Sequence, residues 1–159
     1  MSPVSADDFR NALSRFPSGV NVVTTKDAAG RPHGITVSAF CSVSLAPPLV
    51  LICIEGTTAS HNAFAQSGVF VVNVLKESQQ TLSEQFAAPA VDKFEDVEFR
   101  SGIEGVPVLI DALASLECRL KHTYDGGDHT IYVGEVEHIA IGKGGPLVYF
   151  HHGYTGVKA

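Results

Sequence analysis

Residues 34–45 combine a strand-like alternation with an uncharged polar face, and this pattern constrains the fold more than any other stretch. The odd positions are apolar, beginning with Ile35 and Val37, whereas the even positions carry four hydroxyl residues and Phe40. Successive side chains of a strand point to opposite faces, so one face is predicted to enter a core. Small hydroxyls on the other face let a ligand approach the backbone, which favours contact with a polar ring or a phosphorylated ligand. A Ser/Thr-rich strand half covered by a neighbouring element is the alternative.

The residues that follow predict a second strand and a helix start. Pro47 and Pro48 end the first strand, since proline cannot donate to a ladder, and 49–54 is an apolar run of strand length. The next ten residues are predicted to turn into a short helix capped by Thr57 or Thr58. The free N–H groups at such a start suit a phosphate, although capping alone also explains these residues.

The rest of the chain alternates further strands with short helices. A helix is predicted from Ser5 to Phe16, with Phe9 and Leu13 at helical spacing, and a second one from Ser78 to Ala87. Strands are predicted at 20–25, 69–75, 112–121, 129–141 and 146–150, with an irregular polar segment at 89–105. Because the strands alternate in polarity and the helices are short, we predict a mainly β fold, an antiparallel barrel with helical inserts, as one domain over 1–159. A parallel β-α-β sheet is the alternative.

Composition excludes several classes of partner. The net charge is −6 and the pI is about 5.5, with scattered Lys and Arg, so neither nucleic acid nor an anionic membrane surface is expected to bind. No apolar run approaches the ~20 residues that span a bilayer. The first residues lack the basic and apolar regions of a signal peptide, so a cytoplasmic location is expected.

Sequence motifs for metal or nucleophilic chemistry are missing. The chain has no nucleotide-binding glycine motif, no nucleophile elbow and no zinc-protease motif, and its three cysteines show no C-x-x-C spacing. Cys41, Cys53 and Cys118 fall in strand-like apolar runs and are predicted to be small buried hydrophobes. His151 and His152 are adjacent, and neighbours in a strand face opposite ways, so no shared metal site is expected there. These absences favour chemistry supplied by an organic cofactor.

His129 is the best candidate for a catalytic side chain. It follows Gly126, Gly127 and Asp128 and begins a long predicted strand, so its imidazole is expected at the mouth of the barrel. A histidine in that place can hydrogen-bond a cofactor ring or act as an acid. An exposed turn histidine is the alternative.

Several ordered motifs together resemble the flavin reductase family. They are Phe9-Arg10-Asn11-Ala12, Phe16-Pro17-Ser18-Gly19-Val20, the run from Thr36 to Ser44, Pro47-Pro48-Leu49-Val50 and Gly127-Asp128-His129. The resemblance covers residues 8–157. It is to the short reductase components of two-component flavin-dependent monooxygenases, similar to phenol and 4-hydroxyphenylacetate hydroxylase reductases.

The resemblance implies a split β-barrel of the FMN-binding type, a homodimer, FMN or FAD as flavin, and NADH or NADPH as hydride donor. It further implies that reduced flavin passes to a separate oxygenase. His129 is the implied catalytic residue, near the flavin ring and the nicotinamide. The implied cofactor-binding residues are Thr36, Val37, Ser38 and Ala39 at the ring, Ser42 and Val43 at the ribityl chain, Thr57, Thr58 and Ala59 at the phosphate, Phe86 and Ala87 bordering the flavin, Lys93 and Phe94 at its tail, and Asp128, His129 and Tyr154.

Two departures from the family pattern bear on function. The chain has His151-His152-Gly153-Tyr154 where relatives often carry an Arg-Gly-x-Tyr segment, so a fixed cation is lost. Between Ile54 and Ser60 it carries Glu55 in place of basic residues, so phosphate binding is expected to rest on N–H groups and hydroxyls. Two rival functions are a flavin-binding carrier or electron-transfer protein without nicotinamide turnover, and a barrel that binds some other ligand.

Overall fold

In the computed structural model, which describes residues 3–89 and 92–158, antiparallel strands form a curved sheet with helices between them. The strands are β1 Ser18–Gly19, β2 Asn21–Lys26, β3 Pro32–Val37, β4 Phe40–Ser44, β5 Leu49–Glu55, β6 Val69–Val74, β7 Phe99–Ser101, β8 Pro107–Leu109, β9 Ala114–Asp125, β10 His129–Ile141, β11 Val148–Phe150 and β12 Gly153–Thr155. The α-helices are α1 Ala6–Leu13, α2 His61–Ser67 and α3 Gln80–Ala87, with short 3-10 helices at Glu77–Gln79 and Ile103–Gly105. Among these described residues, no helix is long and apolar enough to cross a membrane.

The main sheet is strongly curved, and its connectivity shows why. Its seven strands follow the order β3-β2-β6-β9-β10-β5-β4, so β3 and β4 stand at opposite ends. Flat, such a sheet separates its outer strands by about 29 Å, at roughly 4.8 Å per strand. Only Ser38 and Ala39 connect β3 to β4, and three backbone steps reach about 11 Å at most. The two edges therefore approach each other, and Cys53 N donates a hydrogen bond of 3.1 Å to Ala39 O.

The prediction of one continuous strand over 34–45 is wrong. The strand is interrupted at Ser38 and Ala39, and the alternation of core-facing and exposed side chains reverses at this break. Val37 packs in the core as predicted, but beyond the break Phe40 faces the core and Leu45 is 93% exposed. The break allows the chain to leave one edge of the sheet and begin the other, which a strand of unbroken pleat cannot do.

The main core fills the inside of the curved sheet. Val23, Ile52, Val72 and Tyr132 are fully buried there, on four of its strands, and Phe64 of α2 covers one side. The predicted strands at 20–25, 69–75, 112–121 and 129–141 are confirmed as β2, β6, β9 and β10, with ends shifted by up to four residues. Burial of these β-branched and aromatic side chains is the main stabilising contribution to the sheet.

Two predicted helices are confirmed, and the start predicted for a third is wrong. Ser5 caps α1, because its Oγ accepts a hydrogen bond of 3.1 Å from Asp8 N. The predicted helix at 78–87 is the 3-10 turn followed by α3, with Phe86 buried. The helix predicted to be capped by Thr57 or Thr58 begins instead at His61, with Ser60 as its N-cap. Thr58 Oγ1 donates to Glu55 O at 3.0 Å, so its hydroxyl stabilises the preceding turn.

The segment predicted to be irregular at 89–105 is partly ordered. It contains β7, which pairs with β8 and which the sequence pattern did not indicate; residues 90 and 91 lie outside the described residues. The buried carboxylate of Glu117 connects this segment to the main sheet. It accepts hydrogen bonds from Ile103 N at 2.6 Å and from Arg100 Nη2 at 3.0 Å. Glu117 lies on the face of β9 that also carries Ser115, Arg119 and Lys121, yet it is only 5% exposed.

The environments of the cysteines and paired histidines correct two further expectations. Cys118 is buried as predicted, but Cys53 is half-buried and Cys41 is exposed, because Cys41 lies on the edge strand β4. His151 and His152 form the turn between β11 and β12, not part of a strand, and both have positive φ angles of 51° and 62°.

Candidate functional site

Three cavities surround β3, and together they contain most of the predicted site residues. The central cavity has a volume of about 170 Å³ and is lined by residues 35–39, residues 53–55, Thr58 and His129. The tyrosine cavity, about 180 Å³, is lined by Val20, Thr36, Ser38, Ser83, Tyr149 and Tyr154. The lysine cavity, about 140 Å³, is lined by residues 32–34, Ala59, Ser60 and residues 92–94. Because Thr36 and Ser38 line two of these cavities, one ligand can extend along β3 from one to the next.

His129 reaches the central cavity from the start of β10. The turn before it places Gly127 at a φ of 85°, where glycine is strongly favoured, and Gly126 N donates to His129 O at 2.9 Å. His129 Nδ1 lies 2.7 Å from Asp128 Oδ1, and this hydrogen bond holds the pKa of Asp128 below its ordinary value. An ionised carboxylate can only accept, so Nδ1 carries the proton and Nε2 is left for a ligand. The imidazole is 40% exposed, as a ligand-binding side chain at a cavity mouth requires.

The hydroxyls of Thr36 in β3 and of Ser38 just after it have different environments. Thr36 Oγ1 donates a hydrogen bond of 2.6 Å to the Ser83 carbonyl and so anchors β3 to α3. Ser83 Oγ in turn lies 2.8 Å from the Tyr154 hydroxyl, and Tyr154 packs edge-on against Tyr149 at 5.4 Å. Ser38, by contrast, is exposed at the break between β3 and β4. Ser38 is therefore the hydroxyl best placed to meet a ligand, whereas Thr36 supports the cavity wall.

The turn after β5 joins the central and lysine cavities. Thr58 lines the first and Ala59 the second, while Thr57 is exposed beside them. Glu55 is the carboxylate of the central cavity, at the end of β5. An anionic group placed along this turn meets the exposed Thr57 hydroxyl and the negative charge of Glu55, because Thr58 N and Thr58 Oγ1 both donate to Glu55 O.

Lys93 and Phe94 form one wall of the lysine cavity and rest on α3. Lys93 Nζ donates to the Phe86 carbonyl at 2.8 Å, and burial lowers the pKa of Lys93. Phe94 packs edge-on against Phe86, with ring centroids 5.0 Å apart. Phe86 is fully buried, so its ring lies behind the cavity wall, whereas Ala87 at the end of α3 is exposed.

Other predicted residues lie apart from this arrangement. Ser42 and Val43 are exposed on β4 and are not among the residues that line the three cavities in the described part of the chain. Asp128 is exposed and contacts the site through its hydrogen bond to His129.

Cys53, Ser83 and Tyr149 are among the lining residues that sequence reasoning missed. Strand alternation within 49–54 separates Cys53 from its buried neighbours and could have found it. Ser83 is a polar residue three positions from Phe86 on the apolar face of a predicted helix, a mismatch that marks a buried hydrogen bond. Tyr149 carried no comparable signal, because only the tertiary fold brings β11 to β3.

Comparison with known proteins decides the family. Residues 13–158 match the flavin reductase like domain. The chain belongs to the flavin reductase family. This family match spans every residue of the three cavities and the strands that carry them.

Individual relatives agree over most of the chain. The flavin reductase (NADH) of Kitasatospora aureofaciens is 42% identical over 161 residues, covering 96% of this chain and 82% of the relative. The reductase component of the 4-nitrophenol 4-monooxygenase/4-nitrocatechol 2-monooxygenase of Rhodococcus opacus is 39% identical over 150 residues, covering 94% and 80%. The chain spans 41% of the length of a longer relative from Rhizobium meliloti.

A solved structure shares the fold. The NADH:FAD oxidoreductase of Streptomyces globisporus C-1027, in complex with NAD and FAD fragments, superposes with a TM-score of 0.89 at 35% identity. It covers 98% of this chain and 96% of that one.

Proposed function

We propose that this flavin reductase transfers a hydride from NADH to FMN or FAD and supplies the reduced flavin to a separate oxygenase. The observation that carries the proposal is the central cavity, which is lined by His129 together with the last residues of β3 and the exposed Ser38 and Ala39 that follow them. The names of relatives support the donor and the purpose, since one is a flavin reductase (NADH) and another a monooxygenase reductase component. NADPH is the alternative donor.

The residues of the site fit a flavin. The isoalloxazine is flat and partly polar, and the central and tyrosine cavities meet along β3 beside small side chains and hydroxyls. We assign the ring to Thr36–Ala39, with Tyr154 and, from the family resemblance, Phe86 and Ala87 at the end of α3 as its border. The phosphate is assigned to Thr57–Ala59, and the tail to Lys93 and Phe94 across the lysine cavity. Ser42 and Val43 are assigned to the ribityl chain from the family resemblance alone.

The side chains of the protein orient the bound flavin and nicotinamide, and the flavin supplies the reactivity. When bound, the flavin supplies the electron sink that accepts a hydride from the nicotinamide. Asp128 holds Nδ1 of His129 protonated, so Nε2 is presented to the nicotinamide or the flavin ring. Ser38 offers a hydroxyl at the ring position, and Thr36 keeps β3 fixed against α3. These contacts favour reaction by placing the two rings in a productive geometry.

NADH consumption with added flavin tests this function. The purified protein is assayed with NADH or NADPH in the presence of FMN, FAD or riboflavin. Turnover that requires the added flavin supports the reductase. A yellow protein that shows only background turnover with every combination is instead a flavin carrier or electron-transfer protein. A protein that is colourless and binds no flavin contradicts both functions.

A second copy of the chain is proposed to complete the assembly. The helix α1 has no buried residue, and Phe9, Leu13 and Phe16 are all more than half exposed. An apolar-walled cavity of about 660 Å³ lies beside Leu13 and Phe16 and extends to Ser38 and Ala39, so covering it also covers one side of the flavin site. Such a continuous apolar surface is typical of an interface. Sedimentation of the flavin-loaded protein at micromolar concentration tests this homodimer, and an active monomer contradicts it.

We propose that the curved sheet is a split β-barrel of the FMN-binding type, that the chain is one domain over 1–159, and that the protein is cytoplasmic. The meeting of the β3 and β4 edges at Ser38 and Ala39 supports the first, and the family match over 13–158 supports the second.

A further inference from the structure

His61, the first residue of α2, makes a hydrogen bond to the strand that carries His129. Its Nε2 lies 2.9 Å from Thr130 Oγ1, a hydrogen bond that either group can donate. The Tyr132 hydroxyl lies 3.4 Å from the same nitrogen. Tyr132 is 1% exposed, and burial raises its pKa, so its phenol stays neutral and can donate. Three side chains from α2 and β10 therefore meet at one imidazole nitrogen.

The place of this contact on β10 gives it a consequence for the site. Thr130 and Tyr132 lie on one face of the strand, and His129 lies on the opposite face, towards the central cavity. His129 is the first residue of β10, paired with Glu55 at the end of the β5 ladder, and it follows a turn with two glycines. Strand ends next to glycines lose their hydrogen bonds more easily than strand centres do. The His61–Thr130 hydrogen bond restrains this end from behind.

We propose that His61 is a positioning residue, which acts on hydride transfer by fixing the backbone that carries His129. This role rests on the proposed function and on the assignment of His129 within it. His61 is only partly buried, and Thr58 and Ala59 precede it closely in sequence, so it also ties the turn after β5 to β10. It acts through Thr130 and, in the described part of the chain, is not among the residues that line the three cavities.

A double-mutant cycle between His61 and His129 tests the proposal. The protein is loaded with FMN, and its reduction by NADH is followed by stopped flow for wild type, His61→Leu, His129→Ala and the double variant. We expect His61→Leu to slow reduction by about fivefold, the range that corresponds to loss of one neutral hydrogen bond. In the His129→Ala background the same substitution should change the rate by less than about twofold, because nothing is left to position.

Further variants separate positioning from general destabilisation. Thr130→Val removes the same hydrogen bond with a side chain of similar shape, so it should slow reduction as much as His61→Leu does. If His61→Leu folds poorly, Thr130→Val alone tests the role of this hydrogen bond. His61→Gln keeps a polar nitrogen at a similar reach and should recover part of the rate. His122→Leu is the matched control: this exposed histidine stacks on Tyr124, with ring centroids 6.0 Å apart, and should leave the rate unchanged.

The outcomes are distinguishable from failure of the function itself. A wild-type protein that does not reduce flavin contradicts the proposed function. If wild type is active but His61→Leu and Thr130→Val slow both backgrounds equally, the positioning role is wrong. It is also wrong if His129→Ala has no effect, or if both variants react at the wild-type rate.

Discussion

Replacing Gly34 with alanine tests whether the packing of β3 on α3 supports the site. A Cβ at this position lies 2.6 Å from Phe86 Cε1, 2.8 Å from Phe86 Cδ1 and 3.3 Å from Phe94 Cζ. Carbon atoms in contact prefer about 3.5–4.0 Å, so the Phe86 ring has to retreat by roughly 1 Å. Phe86 is fully buried, so a movement of its ring displaces neighbouring core side chains.

The expected loss of stability follows from this overlap. Overpacking of a filled core destabilises by about 1–3 kcal/mol, and we expect about 2 kcal/mol for Gly34→Ala. For a chain of this length that corresponds to a fall in Tm of roughly 4–8 °C. The displaced ring also moves α3, whose Ser83 carbonyl accepts the Thr36 hydroxyl, so FMN affinity should fall as well.

Urea unfolding with a matched control measures the effect. Gly153→Ala is the control, since the nearest atom to a Cβ there is Phe150 O at an ordinary 3.8 Å, and its free energy of unfolding should stay within about 0.5 kcal/mol of wild type. Phe86→Leu alone should destabilise by leaving a cavity, whereas Gly34→Ala with Phe86→Leu should lose less than the sum of the two. Wild-type stability for Gly34→Ala, or strict additivity in the double variant, refutes the reasoning.

Three further substitutions probe the site and the acid stability. His129→Ala should slow the reduction of bound flavin by about one to two decades, the result of losing ~1–3 kcal/mol, with flavin affinity nearly unchanged. If stopped-flow reduction of this variant proceeds at the wild-type rate, His129 is an exposed turn histidine and the prediction is wrong. Ser38→Ala should do the reverse, weakening flavin binding by about 1 kcal/mol in a fluorescence titration with a smaller effect on the rate. The hydrogen bond from the Arg31 backbone, with lesser contributions from the His33 and Arg31 side chains, lowers the pKa of Asp27 from 3.8 to about 2. Between these two pH values the unfolded chain therefore binds more protons than the folded chain. The free energy of unfolding should fall as the pH drops through this range. Urea unfolding at pH 5 and pH 2.5 should show a smaller loss for Asp27→Asn than for wild type; equal losses contradict this assignment.

Local patterns determined most of the elements and several residues of the site. Alternation and helical spacing depend only on neighbouring residues, so β6, β10, α1 and α3 could be predicted from the sequence alone. The glycines before His129 likewise predicted its position at the start of a strand beside a cavity. The family resemblance, carried by short ordered motifs, added the flavin, the nicotinamide and the oxygenase.

Tertiary structure decided what local patterns cannot encode. The break at Ser38 and Ala39 exists because β3 and β4 lie at opposite ends of a sheet whose edges meet, and that order is set by strand pairings far apart in sequence. Cys41 is exposed because β4 is an edge strand in that order, although its neighbours suggest burial. Which hydroxyl is free for a ligand also depends on packing, because Thr36 Oγ1 donates to the Ser83 carbonyl of α3, whereas Ser38 is exposed after the end of β3. Periodicity reports which face of a strand is apolar, whereas only long-range pairing determines what that face meets.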